Sequence, residues 1–342
     1  MKRSFCQALA AILILAALAA GNSVYAAPVK FQDKMLWIQL GNQIKDIDDA
    51  MLEKIAECGF SKVILLHSSI NEQGYFPVLR SLTKRCHAKK IKVSMGTLVF
   101  KDTYQKPYWL RNPGLRKCDR DGKYSDTKYY HYQICPNNPV NHEYAAGLLL
   151  REAQEAGVDE IHIDYEIEPC FCPYCVADFQ EKHKKDPRVL SDKDRDWLVW
   201  RSRKTRDFFE VLARKCYGSF PTFLISATAP VIGLPGGFTA YGTDLRYEDL
   251  TQYVDEFQPM IYLSVKTDPS VAGDKFAAIQ RRVLDKYVVP GIIINEEGTM
   301  QIKTRDRLMA ELEGLARKGA KGIAVFEVRY INDELKGLLR DL

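Results

Sequence analysis

Residues 158–166 read VDEIHIDYE. A helical pattern over 141–156 precedes them and ends before Gly157; a cysteine-rich loop follows. Side chains alternate along a strand, so Ile161 and Ile163 point one way and Glu160, His162, Asp164 and Glu166 the other. The isoleucines are expected against helices. The polar set is expected toward the axis of a closed sheet, with Asp164 and Glu166 at its carboxyl end.

Seven other segments occupy the same place between helical patterns. They are 35–40 (MLWIQL), 62–67 (KVILLH), 91–97 (IKVSMGT), 222–228 (TFLISAT), one within 254–262, 288–294 (VVPGIII) and 322–328 (GIAVFEV). Helices are expected at 49–58, stopped by Gly59, and at 76–89, 176–183, 192–217, 302–318 and from 333 onward. Strands nearly continuous in Val, Ile and Leu belong to parallel sheets buried on both faces. Strand–helix alternation implies a parallel sheet, and eight such units fit a single-domain (β/α)8 TIM barrel over residues 28–342. The alternative is a doubly wound open sheet, but no Gly-rich phosphate loop follows the first strand. The long segments after the third strand, 98–140, and after the fourth fall on the face where barrels place their catalytic groups.

Residues 1–26 are read as a cleaved export signal. Lys2 and Arg3 begin it, an apolar run spans 8–20, and Val24-Tyr25-Ala26 has small residues at the cleavage spacing. The run falls short of the ~20 residues that span a bilayer. A secreted or periplasmic protein is expected, without membrane contact after cleavage. The removed segment holds two bases and no acid, so the formal charge falls from +5 to +3. Such a scattered balance is no footprint for nucleic acid.

Acids at the carboxyl end of a strand are costly to desolvate without a task or a partner. Burial and a like charge would raise the pKa of Glu166, as a general acid near neutral pH requires. The structural alternative pairs these acids with Arg246 or Arg329. A glycosidase needs a second carboxylate, or a substrate group in its place. Glu296, with Glu297 in IIINEEG, is the first choice for a nucleophile; the alternative role for Glu296 is to cap the following helix. Glu327 in VFEV is a further candidate, for substrate contact. A pair about 5–5.5 Å apart implies retention and one about 6.5–9.5 Å apart inversion. His67 ends the second strand and is either a substrate contact or a core residue; His162 is expected as a hydrogen-bonded interior residue. Tyr108, Trp109, Tyr130, Tyr241 and Tyr262 are candidates for stacking sugar rings.

Residues 159–166 resemble the D-x-x-D-x-D-x-E strand of glycoside hydrolase family 18, with His162 where the middle acid stands. The resemblance implies Glu166 as proton donor and Asp164 as the acid that steers a substrate N-acetyl group. PMIYL, ending at Leu263, resembles the M-x-Y of that family's sixth strand and implicates Tyr262. The family's Trp after strand eight is missing, with Phe326 nearest. A second resemblance runs from about Trp109 to Phe179. RNPGLRKCDRDGKYS, HYQICPNNPVNHEY and CFCPYC are similar to segments of glycoside hydrolase family 42 β-galactosidases and related barrels. It implies a structural zinc held by Cys135, Cys170, Cys172 and Cys175. That family's Asn-Glu pair is absent, since Asp164-Tyr165-Glu166 stands there.

Of nine cysteines, Cys6 lies in the signal, and Cys58, Cys86 and Cys216 are expected as small buried hydrophobes. C-x-C-x-x-C brings three sulfurs onto one tight loop, which suits a closed thiolate site better than disulfide geometry. Disulfides, such as Cys118–Cys135, remain open in an exported chain, and Cys118 is the alternative fourth ligand. The expected protein is a glycosidase acting on an oligo- or polysaccharide by a retaining route, with zinc and no organic cofactor. The rivals are a non-catalytic carbohydrate-binding barrel and a metallohydrolase built on His67, His162 and Asp164.

Overall fold

In a computed structural model of the chain, EIHID forms the fourth strand of a closed parallel sheet. The structure describes residues 29–39, 47–67, 72–101, 106–124, 132–164, 169–219, 224–230, 246–264, 266–283, 285–295, 301–326 and 333–342. The strands are β1 (Asp33–Gln39), β2 (Lys62–His67), β3 (Lys92–Thr97), β4 (Glu160–Asp164), β5 (Leu224–Pro230), β6 (Glu256–Met260), β7 (Tyr287–Val288), β8 (Gly291–Ile293) and β9 (Gly322–Phe326). Neighbours pair in parallel from β1 through β6, and β1 pairs with β9, which closes the barrel.

β7 and β8 together fill one position of the barrel. Pro290 lies between them and has no N–H to donate. Val289 N still donates to Phe257 O at 2.9 Å, and Ile261 N donates to Gly291 O at 2.8 Å, so pairing resumes on either side. The expected seventh strand is thus present in two pieces, and eight positions make the (β/α)8 barrel.

The helices are α1 (Asp49–Glu57), α2 (Glu72–Ala88), α3 (Lys106–Arg111), α4 (Pro139–Ala156), α5 (Pro173–His183), α6 (Arg195–Ser219), α7 (Tyr247–Leu250), α8 (Val271–Val283), α9 (Arg305–Arg317) and α10 (Asp333–Asp341). Their ends follow local chemistry. Asp48 accepts from Met51 N ahead of α1, and Asn138 accepts from Val140 N ahead of α4. Gly157 ends α4 at φ 71°, in the left-handed region that glycine enters without strain.

Three elements differ from expectation. α2 begins a turn earlier than 76 and takes Pro77 into its second turn, where one helical bond goes unmade. The segment 98–140, expected as a loop, contains α3 and the 3-10 turn Pro113–Leu115. α8 was not expected at all. Its Ala272, Phe276, Ile279 and Val283 are buried at helical spacing, and Gly273 lets it lie against α9. A Cβ on Gly273 would stand 2.3 Å from Gly314 O. Among the described residues no helix is long and apolar enough to cross a membrane.

The strands separate two interiors. Leu36, Val63, Leu65, Ile161, Ile163 and Ile225 pack outward beneath the helices. Met35, Trp37, Ile64, Leu66, Val289 and Ala324 fill the barrel itself. Cys58, Cys86 and Cys216 are fully buried in the outer layer, as expected.

The amino-terminal half of the barrel is polar. Lys62 Nζ donates to Glu160 Oε2 at 2.6 Å and to Glu256 Oε2 at 3.0 Å. Ser94 Oγ donates to Glu160 Oε1 at 2.9 Å, and Gln258 Nε2 donates to Glu256 Oε1 at 2.6 Å. Burial lowers the Lys62 pKa, but the two facing carboxylates outweigh it and raise it above the usual lysine range. One ammonium cannot neutralise two carboxylates. Burial first, and then the charge of Glu160, push the Glu256 carboxyl up to about 7, against the pull of Lys62 and Gln258.

The sign of the linkage follows. A carboxyl that titrates near 7 when folded and near 4.5 when unfolded holds its proton more tightly in the folded state. Its contribution is fully present below pH 4.5 and is lost as pH rises through about 7. Glu256→Gln is expected to flatten stability between those limits relative to wild type. The two curves should diverge by up to about 3 kcal/mol in urea unfolding at pH 5 and pH 8.

Candidate active site

β4 carries the site's centre. Its register sets His162 beside Gly96 of β3 and Ser226 of β5, and Asp164 beside Thr228. Glu160, His162 and Asp164 alternate into the barrel while Ile161 and Ile163 pack under the helices, as the period of two implies. Asp164 is 7% exposed, at the carboxyl end where the barrel opens. His162 is wholly buried: its Nδ1 lies 2.5 Å from Ser226 Oγ, and its ring meets Trp37 edge-on at 4.7 Å. Burial, with the nearby Lys62 charge, holds its pKa well below the usual histidine value, so the ring is neutral. This is the hydrogen-bonded interior histidine expected from the sequence.

An aromatic line crosses the barrel above it. Trp37 meets Phe326 at 6.4 Å, and Phe326 meets Tyr262 at 6.2 Å. Tyr262 is half-buried just after β6, so the structure brings it to the same end of the barrel as Asp164. Trp37 Nε1 donates to Gln258 Oε1 at 3.1 Å and ties this line to the polar layer below. Glu166, Glu296, Glu297, Tyr130, Tyr241, Glu327 and Arg329 lie outside the described residues, as does the side chain of His67.

The segment bearing Glu296 and Glu297 is clipped at its base. Asn295 and Ile302 form an antiparallel bridge, and Lys303 N donates to Ile294 O at 2.9 Å. Lys303 Nζ in turn contacts both oxygens of Glu311 on α9, at 2.9 and 2.8 Å, with both side chains fully buried. Arg307 Nε adds a third bond to Glu311 at 3.1 Å.

After β3 the aromatic side chains have partners of their own. The Arg116 guanidinium covers one face of Trp109 at 3.5 Å and lies 4.8 Å from the Tyr124 ring. Tyr132 meets Trp109 edge-on at 5.5 Å. Tyr124 is half exposed beside this stack. Tyr108 stacks on Tyr144 of α4 at 3.6 Å and donates to Asn141 Oδ1 at 2.9 Å, so its ring and hydroxyl hold the loop to the helix.

The cysteine loop is brought together as the spacing implied. The sulfurs of Cys135, Cys170, Cys172 and Cys175 all lie within 4.8 Å of one another, and all four residues are buried. Cys135 Sγ is 3.4 Å from Cys175 Sγ, and Cys172 Sγ is 3.6 Å from it. A tetrahedral thiolate site with metal–sulfur bonds of about 2.3 Å separates its sulfurs by about 3.8 Å, so the donor set fits a metal ion. Asn137 Nδ2 donates to Cys175 Sγ at 3.3 Å, the kind of bond that steadies a thiolate. Asn141 Nδ2 holds Cys135 through its carbonyl at 2.8 Å. Hydrogen bonds from its three sulfur neighbours pull the Cys172 thiol far below the usual range, while burial raises Cys135 and Cys175. Cys118 is buried beside the cluster and outside the group of four; burial, with the charges of Cys170 and Cys172, pushes its thiol up to about 12. No two described cysteines are bonded to each other. Phe171, Phe179, Trp197 and Trp200 wall the cluster off from the solvent side.

Ser226, Trp37, Gln258 and Lys62 were not singled out in the sequence. Alternation alone could have flagged Ser226, between outward-facing Ile225 and Ala227 of β5.

No protein-family model matches the chain, and no curated protein matches it. Solved structures share its fold. The glycoside hydrolase domain of PgaB (BpsB) from Bordetella bronchiseptica superposes with a TM-score of 0.68 at 13% identity, covering 90% of this chain and 98% of that one. A β-galactosidase from the psychrophilic Marinomonas ef1 gives 0.69 at 11% identity, over 90% of this chain and 58% of that one. A family 18 chitinase from Pseudoalteromonas aurantia gives 0.53 at 12% identity, over 91% of this chain and 100% of that one. The likeness is one of fold: this chain is a (β/α)8 TIM barrel similar to those of the glycoside hydrolases above, and it spans little more than half of the Marinomonas enzyme.

The clip beneath the Glu296 segment can be measured directly. Glu311→Ala would take both carboxylate bonds from the buried Lys303 ammonium and one from Arg307, and a loss of about 3–5 kcal/mol is expected in urea unfolding. A loss below about 1 kcal/mol would show that the pair does not hold the segment.

Proposed function

We propose that this chain hydrolyses a glycosidic bond in an oligo- or polysaccharide. The observation that carries the reading is the buried Asp164 carboxyl at the open end of β4, inside a barrel of glycoside-hydrolase fold. In sequence, Glu166 is the next residue of the same alternation. Glu166 is the general acid and then the general base: it gives a proton to the leaving oxygen and later takes one from water. Glu296 is the nucleophile of a retaining reaction; its carboxylate attacks the anomeric carbon as the carbon–oxygen bond breaks, and water then cleaves the glycosyl ester. On an N-acetylated sugar, the substrate's own amide oxygen attacks instead, steered by Asp164. Tyr262, Trp109 and Tyr241 contact the sugar, joined by His67 and Glu327.

The four-cysteine site holds zinc in this reading, as a structural ion. Four thiolates leave no open position for a substrate. Its place after β4 ties the loop that begins beyond Asp164 to the start of α5. The leader carries the protein to a secreted or periplasmic location.

Screening wild type and Glu166→Gln against chromogenic glycosides and chitooligosaccharides tests the chemistry. Wild-type turnover with at least a ~100-fold lower kcat in the variant is expected. Sugar binding without turnover in either protein would make the chain a carbohydrate-binding barrel and overturn the hydrolase reading. For the metal, about one zinc per chain is expected in protein purified without chelator, and Cys175→Ser should lower both zinc content and Tm. A metal-free wild type of unchanged Tm would remove zinc from the account.

A further inference from the structure

His162 has two ring nitrogens, and its partners differ. Ser226 Oγ lies 2.5 Å from Nδ1 and also donates to Glu160 Oε1. A serine hydroxyl has one hydrogen. Spent on the carboxylate, that hydrogen leaves the oxygen to accept, so Nδ1 carries the imidazole proton. A neutral imidazole has only one, so Nε2 is a bare lone pair. Among the described residues nothing donates to Nε2, although the residue is fully buried.

An unmet acceptor at that depth is costly, and internal waters are the usual remedy. The site is polar enough to hold one. Asp164 is two residues along the same strand face, one layer nearer the opening. Residues so placed have Cα atoms about 6.6 Å apart, too far for parallel side chains to bond directly. Side chains in strands lean along the strand direction, and once these two lean together, two hydrogen bonds of about 2.8 Å through one water, reaching about 4.5 Å, join them. A water has two hydrogens to give, and the two groups, imidazole nitrogen and carboxylate oxygen, both accept.

We propose that His162 is a positioning residue: Ser226 locks it as the Nδ1–H tautomer, and its Nε2 fixes an internal water that hydrogen-bonds Asp164 from below. Its bearing on catalysis rests on the reading of β4 as the catalytic strand. A neutral ring here separates Asp164 from the charged Lys62, Glu160 and Glu256 layer without adding a charge of its own. It steadies the Asp164 carboxyl through a bond rather than through repulsion.

The test needs no substrate at first. In the full-length, 15N-histidine-labelled protein at pH 7, the resonances lost in His162→Gln assign this ring among the six histidines. A protonated Nδ1 and an unprotonated, hydrogen-bonded Nε2 are expected. Ser226→Ala should release the lock and populate the Nε2–H tautomer, and Ser226→Thr, which keeps the hydroxyl, should restore the wild-type pattern. A crystal structure should place a water about 2.7–3.2 Å from Nε2. A protonated Nε2 or an imidazolium in wild type, or a protein group in the water's place, overturns the proposal whether or not the variants fold. On a hydrolysed sugar, Ser226→Ala should lower kcat about tenfold at unchanged KM, with Ser226→Thr restoring it. A wild type that hydrolyses no sugar refutes the hydrolase reading, while the tautomer and the water are judged separately.

Discussion

The ammonium of Lys62 is shared by Glu160 and Glu256, and the filling of the barrel is arranged around that sharing. Three charged groups lie inside a closed sheet where water is scarce. Charges there persist only when paired and hydrogen-bonded. Ser94, Ser226 and Gln258 supply the remaining bonds, and Ser226 and Gln258 pass the order upward to His162 and Trp37. The layer beneath the opening is therefore set by a network that begins at the opposite end of the barrel. An exchange of any of these polar groups for an apolar one takes a bond from a buried neighbour, because several atoms of the network serve two partners at once.

A second constraint acts from outside the sheet. The cysteine loop starts a few residues beyond Asp164 and is tied to α4, through Asn137 and Asn141, and to α5, through Cys172 and Cys175. On the other side of the opening, Lys303 and Glu311 hold the base of the Glu296 segment. The described residues that flank the two segments bearing the proposed acids are thus each tied to a point outside the barrel. Anchoring at the base leaves the chemistry to side chains while the backbone is positioned by buried bonds.

Much of this was legible from residues alone, and the exceptions have physical causes. KVILLH matches β2 end to end, since a strand buried on both faces is a continuous apolar run. Gly59 and Gly157 marked helix ends because the left-handed turn admits glycine most easily. The four cysteines were legible because three share one short loop, although only geometry separates Cys118 from the set. α8 went unread because Gly273 argues against a helix locally, while its reason is tertiary contact with Gly314. Pro290 was read through as strand because pairing on both sides hides the break. The partners of His162 were illegible for a simpler reason: Ser226 is 64 residues away, and Trp37 and Gln258, which bond to each other, are 221 apart. Alternation says which way a side chain points, not what it meets across a barrel.

That difference bears on how function should be read from this fold. A barrel of this kind hosts many chemistries, and structural likeness at 11–13% identity carries the scaffold only. In this chain the inner face of β4 carries acid, neutral imidazole and acid in succession over Glu160, His162 and Asp164. Three successive acids on one strand face would repel and hold protons among themselves. A buried imidazole in the middle breaks that coupling. The lower acid then answers to Lys62, and a neutral ring stands between that pair and the upper acid. His162 therefore divides the inner face of the strand into a half tied to Lys62 and a half at the opening.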